Sequence, residues 1–403
     1  MTRRKKISTD ILEAAKQFDS KKFIENVKGE FMDFPDYRCN TKRIIYPIWY
    51  INLVILCGFF CGCNTIEEVA EYALLQKDWF IELLKVSYTP PSYSTLWWFL
   101  VKVKPETLKQ YLQRWFVKLP DQLKDQLLAL DGKRLKSARF LGGITHMVEL
   151  FATEDRLVLA VEQVPNKTVE KSCLQDILEQ VDVTGAIISA DAHFTNRDVV
   201  KQIIDKDADY LLAVKENQPT LHAEIENFFL QAHAVNWEYV ENSSCKTVDK
   251  DHGRIETREI RVVSNLEWLP QKSLWKKLSS LVEVKTVREH MNGKKRESGT
   301  RFYISSRQSS ACNFAKWIRS HWAIENNCHW QADVTFQEDA AQTDIGNSAE
   351  NMGIFRRLAM NIATTVDPGR GLASVRRAAV FGPGYLKGLL AKIFLDKKHV
   401  KCF

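Results

Sequence analysis

The chain has 403 residues, 45% of them hydrophobic and 27% charged, and 57 Lys and Arg against 50 Asp and Glu leave a formal net charge of +7. That balance excludes a charge-rich, apolar-poor disordered chain, and at about 100–200 residues per domain the length predicts two or three domains with ample core. So mild a positive charge permits a polyanionic partner without requiring one.

Nine cysteines, an odd number, run from Cys39 to Cys402 without a spaced framework, which points to a reduced cytosolic compartment. The start, Met1-Thr-Arg-Arg-Lys-Lys6, is basic, but Ser8 to Glu30 behind it is amphipathic and studded with charge. No apolar leader follows, so secretion is not expected. From Ile44 to Ile66 there is no charged residue, long enough to span a bilayer. Pro47, Asn52, Gly58, Gly62, Asn64 and Thr65 interrupt it, however, and a buried helix is the expectation, with no membrane partner. Cys57, Cys61 and Cys63 within it are read as core packing rather than metal ligands.

In chain order, helices are predicted over Ser8–Val27, Pro47–Cys63, Ile66–Trp79, Ser94–Val103 and Glu106–Leu119, punctuated by Pro90-Pro91 and Pro120. Residues 1–120 therefore read as an all-α domain. The break at Ser87–Tyr93 followed by Trp97, Trp98 and Phe99 fits either a DNA-binding helix-turn-helix or an aromatic anchor in a helical core. The texture then changes: Leu127–Leu130 is a short apolar run ending at Asp131, and Met147–Thr153 with Leu157–Val164 reads as a hairpin. A helix over Val169–Val181, a buried strand Gly185–Ala190 ending at Asp191, a helix over Arg197–Lys206 and a strand Tyr210–Val214 follow. This order gives an α/β mixed sheet with helical crossovers.

After Lys215-Glu-Asn-Gln-Pro219 and a helix around Leu221–Ala232, roughly 235–306 reads as a β-rich insertion. Arg254–Val263 and Leu281–Glu289 alternate, and Arg301–Ile304 completes a hairpin with Asn292-Gly293 at its tip. That tip carries Lys294, Lys295 and Arg296. A helix beginning near Asn313, with Phe314, Trp317, Ile318 and Trp322 at helical spacing, carries Glu325. A further helix over Ala349–Ala363, containing Arg356 and Arg357, leads to a basic tail.

Carboxylates at the ends of buried strands sit where ligand sites form on α/β sheets. Asp131 and Asp191 on adjacent strands are like charges that a cation would neutralise, and hard oxygen donors suit Mg²⁺ or Mn²⁺. With Glu325, three acids could hold two ions for in-line phosphoryl displacement. His321, Glu325 and His329, spaced i, i+4, i+8, could instead form a zinc site, though two turns separate the histidines. Lys215, Lys133 and Arg134 are placed to meet phosphates, or are solvated loop charges. The hairpin-tip cluster, with Arg356 and Arg357, supplies further candidates for DNA backbone contact.

At these residues the pattern becomes that of a family. Leu130-Asp-Gly-Lys-Arg134, Ile188-Ser-Ala-Asp-Ala192, Tyr210-Leu-Leu-Ala-Val-Lys-Glu-Asn-Gln218, His252-Gly-Arg-Ile-Glu-Thr-Arg258 and His321-Trp-Ala-Ile-Glu-Asn326 with His329-Trp330 and Asp333-Val334 resemble bacterial insertion-sequence transposases of the DDE class, in the subgroup containing the H-repeat-associated proteins. The segment from Phe34-Pro-Asp36 to Pro91-Ser92 resembles that subgroup's associated N-terminal domain. The resemblance implies a ribonuclease-H-like core over 121–403, carrying the β-rich insertion, and a catalytic triad of Asp131, Asp191 and Glu325. It implies two divalent ions, Mg²⁺ or Mn²⁺, hydrolysis at the element's ends, and strand transfer to target DNA.

It further implies DNA as partner, a homo-oligomer on that DNA, and a cytoplasmic, nucleoid-associated location. The class often places Tyr, Arg and Lys around its Glu where this chain has Ile318, His321 and Ala332; Arg319 is the candidate substitute for phosphate contact. Asn196 stands where the subgroup usually has Gln, and Cys328 and Ala332 stand where larger residues are common. A catalytically inactive or regulatory DNA-binding copy, or a nuclease using the same site without strand transfer, are the competing readings. The presence of all three acids argues against the inactive copy.

Overall fold

A computed structural model describes residues 9–38, 44–116, 120–135, 145–251, 253–290, 296–341, 343 and 345–396. The first helices are α1 (Thr9–Lys16), α2 (Ser20–Glu30), α3 (Ile48–Phe60), α4 (Ile66–Leu75), α5 (Lys77–Leu84), α6 (Tyr93–Lys102), α7 (Pro105–Phe116) and the single turn α8 (Pro120–Leu123). The single helix expected over Ser8–Val27 is two, because the Asp19 side chain accepts the Lys22 backbone N–H and starts α2 afresh. The helix expected from Ile66 to Trp79 likewise breaks at Gln76. Helix α3 is buried nearly all round, packed by α2, α4, α6 and two later helices, as its uninterrupted apolarity requires. No helix among the described residues is long and apolar enough to cross a membrane. Phe99 of α6 stacks on Phe34 and is an aromatic anchor of this core, while Trp98 stays half exposed.

Among the described residues one sheet of nine strands organises the rest: β1 (Leu127–Arg134), β2 (His146–Ala152), β3 (Leu157–Val164), β4 (Ile187–Ala190), β5 (Asp209–Val214), β6 (Ser243–Asp251), β7 (Arg254–Val263), β8 (Ser280–His290) and β9 (Arg296–Ser305), in the order β3-β2-β1-β4-β5-β9-β8-β7-β6. Strands β1, β4 and β5 are parallel neighbours, and every other pair is antiparallel. With α9 (Leu174–Gln180) and α10 (Arg197–Asp205) as crossovers, the first five strands make the ribonuclease-H-like mixed sheet that was expected. The inserted strands do not form a separate unit. Strand β9 pairs with β5, Leu212 opposite Ile304, so the insertion lengthens the same sheet.

Strand β6, sequence SSCKTVDKD, was not anticipated because it lacks the apolar alternation of a strand with a buried face; it is the outermost strand, where charge discourages further pairing. The tip residues Lys294 and Lys295 lie outside the described residues.

Between β5 and β6 runs α11 (Pro219–Ala234), and after β9 comes α12 (Ala311–His321). Helix α12 lies on one face of the sheet, where Phe314 and Ile318 share a small core with Leu127, Ile187, Leu211 and Ile260. The segment expected as a basic tail folds, after α13 (Ser348–Val366), into α14 (Leu372–Phe381) and α15 (Pro383–Phe394). Helix α13 packs on α3, α6, α7 and β3. Its Asn361 side chain takes the Val158 N–H at 2.9 Å and donates to the Val158 carbonyl at 2.8 Å, joining the helical body to the sheet. Helix α15 closes on the chain's beginning: Phe394 meets Phe23 and Trp115 edge to face, and α15 lies along α1.

Gly388 makes that closure possible, since a β-carbon there would stand 1.9 Å from the Ile11 carbonyl oxygen. Gly388→Ala is expected to lower the stability of the full chain by about 1–3 kcal/mol, read as a lower thermal midpoint.

Candidate active site

Leu130 of β1 pairs with Ala190 of β4 in parallel register, so the next residues, Asp131 and Asp191, stand side by side. Here the two strands part. Strand β4 ends at Ala190, whereas β1 continues through Arg134 because it stays paired with β2 as far as His146; Asp131 lies within its strand rather than at its end, as the sequence had suggested. Asp191 accepts the His193 backbone N–H at 2.8 Å and starts one tight turn, Ala192–Phe194. Asp131 accepts the Gly132 N–H at 2.9 Å. Burial pushes the Asp131 carboxyl up to about 6, Asp191 and Glu149 add to that, and His329 opposes it.

The third acid comes from the helix that follows the insertion. Helical turns continue past His321, and two of them are π turns, Glu325–His329 and Gln331–Thr335, with the Trp330 N–H bonded to the Glu325 carbonyl and that of Phe336 to Gln331. Such turns recur at functional sites. His321 Nδ1 is 2.9 Å from Ser189 Oγ on β4, and burial pushes this imidazole down to about 4, against the pull of Asp191. His329 Nδ1 is 3.8 Å from Asp131 Oδ2, and its Nε2 is 2.8 Å from Glu149 Oε2. Glu325 stands between these two histidines on the helix, with its side chain exposed.

Among the described residues no three His, Cys, Asp or Glu side chains lie together as a cation cage, neither His321, Glu325 and His329 nor the three acids. The donor chemistry of Asp131 and Asp191 nevertheless fits a hard divalent cation: two adjacent carboxylates, one of them pushed up by burial and its neighbour's charge.

Residues beyond the three acids secure this centre. The Asn217 amide donates to the Ala192 carbonyl at 2.6 Å and that of Gln218 to Thr195 at 2.9 Å, tying the turn after Asp191 to the end of β5. Glu149, opposite Asp131 on β2, is fully buried. Burial pushes its carboxyl up, but Arg357 and His329 reverse this and bring it down to about 2. Arg357 Nε is 2.6 Å from Glu149, and the same guanidinium holds Glu338. Lys133 Nζ joins from β1, 2.5 Å from Asp333, 2.9 Å from Glu338 and 3.4 Å from Asp339. The signal for this network was a lone Glu in the apolar strand Met147–Phe151 and two Arg inside an otherwise apolar helix.

Three expected phosphate contacts are thereby corrected. Arg356 and Arg357 are 3% and 0% exposed and Lys133 7%, all turned into buried ion pairs, out of reach of any backbone phosphate. Arg134 and Lys215 are exposed. So are Arg296, 3.3 Å from Glu289, and Arg319, 3.6 Å from Asp249.

The profile of the Transposase DDE domain family matches residues 122–362, and that of the DDE_Tnp_1-associated family matches 29–116. The chain belongs to the DDE transposases. It is a DNA-cleaving and strand-transferring enzyme of a family generally dependent on divalent metal. Among its relatives, "Putative transposase YncI" of Escherichia coli O157:H7 is 28% identical over 89% of this chain and 92% of its own. "H repeat-associated putative transposase YhhI" of Escherichia coli K12 is 28% identical over 89% and 95%. "Uncharacterized protein in dhlA 3'region" of Xanthobacter autotrophicus is 32% identical over 67% and 91%.

In this transposase Arg357 neutralises two enclosed carboxylates, so Arg357→Met is expected to cost about 3–5 kcal/mol at neutral pH. In the native protein the contribution of Glu149, a depressed carboxylate, is present above its ordinary pKa near 4.5 and lost as the pH falls through about 2. Without Arg357 the buried acids take up protons instead, and the deficit of the variant, measured by urea unfolding, is expected to shrink between pH 7 and pH 5.

Proposed function

We propose that Asp131, Asp191 and Glu325 are the catalytic acids of this transposase and that they hold two Mg²⁺ or Mn²⁺ ions. The observation that carries the reading is the adjacency of Asp131 and Asp191 at the point where two parallel strands part, with the Asp131 carboxyl pushed up by burial and, to a lesser degree, by Asp191. Bound there, the metal would activate the attacking oxygen and stabilise the leaving one. Asp131 and Asp191 hold one side of the centre on the rigid sheet. Glu325, exposed on the helix that His321 and His329 pin to β4 and β2, would be the third acid once the ions are bound. The first attack uses water at the element's end, and the freed 3′-hydroxyl then attacks target DNA, with no covalent intermediate on the protein.

DNA is proposed to approach along a groove between the β6–β9 face and α12. Its lining runs from Cys245 to Asn326 and encloses about 630 Å³. Five arginines, Arg254, Arg258, Arg288, Arg301 and Arg319, with Lys316, face Asp249, Glu256 and Glu297 there. The Arg301 guanidinium lies over the Trp322 ring, 5.4 Å from its centre, one turn before Glu325. This excess of cations supports sequence-independent phosphate contact, with Arg134, Lys215 and Arg296, and the tip lysines Lys294 and Lys295, as outer contacts. The helical region 1–120 is proposed to contribute DNA binding, 121–403 to be the catalytic domain, and the working form to be a homo-oligomer on DNA in the cytoplasm, at the nucleoid.

With Mg²⁺ and a duplex bearing the ends of its own element, the purified chain is expected to nick at the end. Asp191→Ala is expected to abolish nicking, by at least about a thousandfold, while DNA binding by filter retention persists; normal cleavage by that variant would refute the assignment. Arg301→Ala is expected to weaken binding evenly across sequences and to lower the slope of log affinity against log salt by about one.

A further inference from the structure

Glu149 is a fourth carboxylate at the centre, and its oxygens are committed. Oε1 is taken by Arg357 at 2.5–2.6 Å, and Oε2 lies 2.8 Å from His329 Nε2 and 3.2 Å from the Cys328 thiol. It therefore has no oxygen to offer a cation. What it does have is a grip on an imidazole whose other nitrogen lies 3.8 Å from Asp131. A carboxylate that fixes one ring nitrogen sets the plane of the ring and the direction in which the other nitrogen points. The chain of contacts Arg357–Glu149–His329–Asp131 thus runs from the buried middle of α13, across β2 and the first π turn, to a carboxylate of the active centre. The His329 side chain keeps only 12% of its surface exposed and that of Glu149 none, and strand pairing sets Glu149 directly opposite Asp131.

We propose that His329 is a positioning residue: oriented by Glu149, it holds the Asp131 carboxylate in the rotamer that receives the metal ion. The inference rests on the reading of Asp131 as a metal-holding acid. It assigns to the position four residues after Glu325 a role in arranging the centre rather than in touching DNA. It also accounts for an ionised carboxylate in an otherwise apolar strand: Glu149 is needed as the anchor of the ring.

The test is Mn²⁺ binding to the full chain, followed by the loss of the free-ion signal in electron paramagnetic resonance, alongside the Mg²⁺ dependence of end cleavage. His329→Ala is expected to raise the Mn²⁺ Kd and the Mg²⁺ midpoint by about 10–100-fold, the range for loss of a residue that orients a ligand, with DNA affinity unchanged. His329→Asn, which keeps an amide near the Nδ1 position, is expected to recover part of the loss. Glu149→Gln, which keeps an acceptor for the ring, is expected to lie between Ala and the native protein; thermal unfolding verifies that each variant is folded. If His329→Ala leaves both metal measurements within twofold while Asp131→Ala abolishes them, the positioning role is overturned and the metal centre stands. If Asp131→Ala also leaves Mn²⁺ binding unchanged, the metal-centre reading fails and takes the positioning role with it.

Discussion

The Arg357 guanidinium, enclosed between Glu149 on the sheet and Glu338 beyond the second π turn, is the contact on which the geometry of the molecule turns. Removing such a cation from water costs several kcal/mol, and only excellent hydrogen bonding on all sides returns that energy. The cost is met here by drawing three chain segments to one point: β2, the 338–339 turn and α13. Lys133 adds a fourth, from β1, through Asp333, Glu338 and Asp339. Apolar packing alone tolerates sliding, since one aliphatic contact resembles another. Buried charges of alternating sign have one low-energy register, and that register sets the helix bearing Glu325 against the strand bearing Asp131.

The layering follows from the same arrangement. Helix α12 is seated at its start by an apolar patch over β1, β4, β5 and β7, and the helical turns after it are seated by ions over β1 and β2. The crossing from greasy to ionic support coincides with the acids. Below the sheet's far end, α13 links the ion cluster to the helical body, so that the regions matched by the two family profiles share one core.

What depended on order along the chain was legible. Asp131 after an apolar run, Asp191 after a buried strand and Glu325 after an alternating segment mark the sheet's parallel strands and the helix beyond the insertion. What depended on partners distant in sequence was not legible. Lys133 is two residues from Asp131 and so shares its face, which in β1 looks inward. Arg356 and Arg357 resembled a basic patch until Glu149 and Glu338, more than 200 and about 20 residues away, supplied their counter-charges. Strand β6 escaped notice because an edge strand needs no buried alternation, and α14 and α15 because their apolar faces are modest and only the first helices complete them.

The consecutive π turns have an outcome for how this segment changes over time. Each holds one residue more than an α-helical turn, so side chains beyond it are rotated by roughly 100° from where an unbroken helix would aim them. Counting in threes and fours from Glu325 therefore loses phase before Asp333, and Ala332, at the distance where a lysine is common in the wider class, points into the core with no exposed surface. A single codon lost between positions 325 and 335 could be absorbed as an ordinary turn, swinging His329 and Asp333 to new bearings while leaving the helix intact. Small insertions and deletions in this stretch can thus re-aim side chains at the centre in one genetic step, a freedom that the flanking strands, locked in register, do not have.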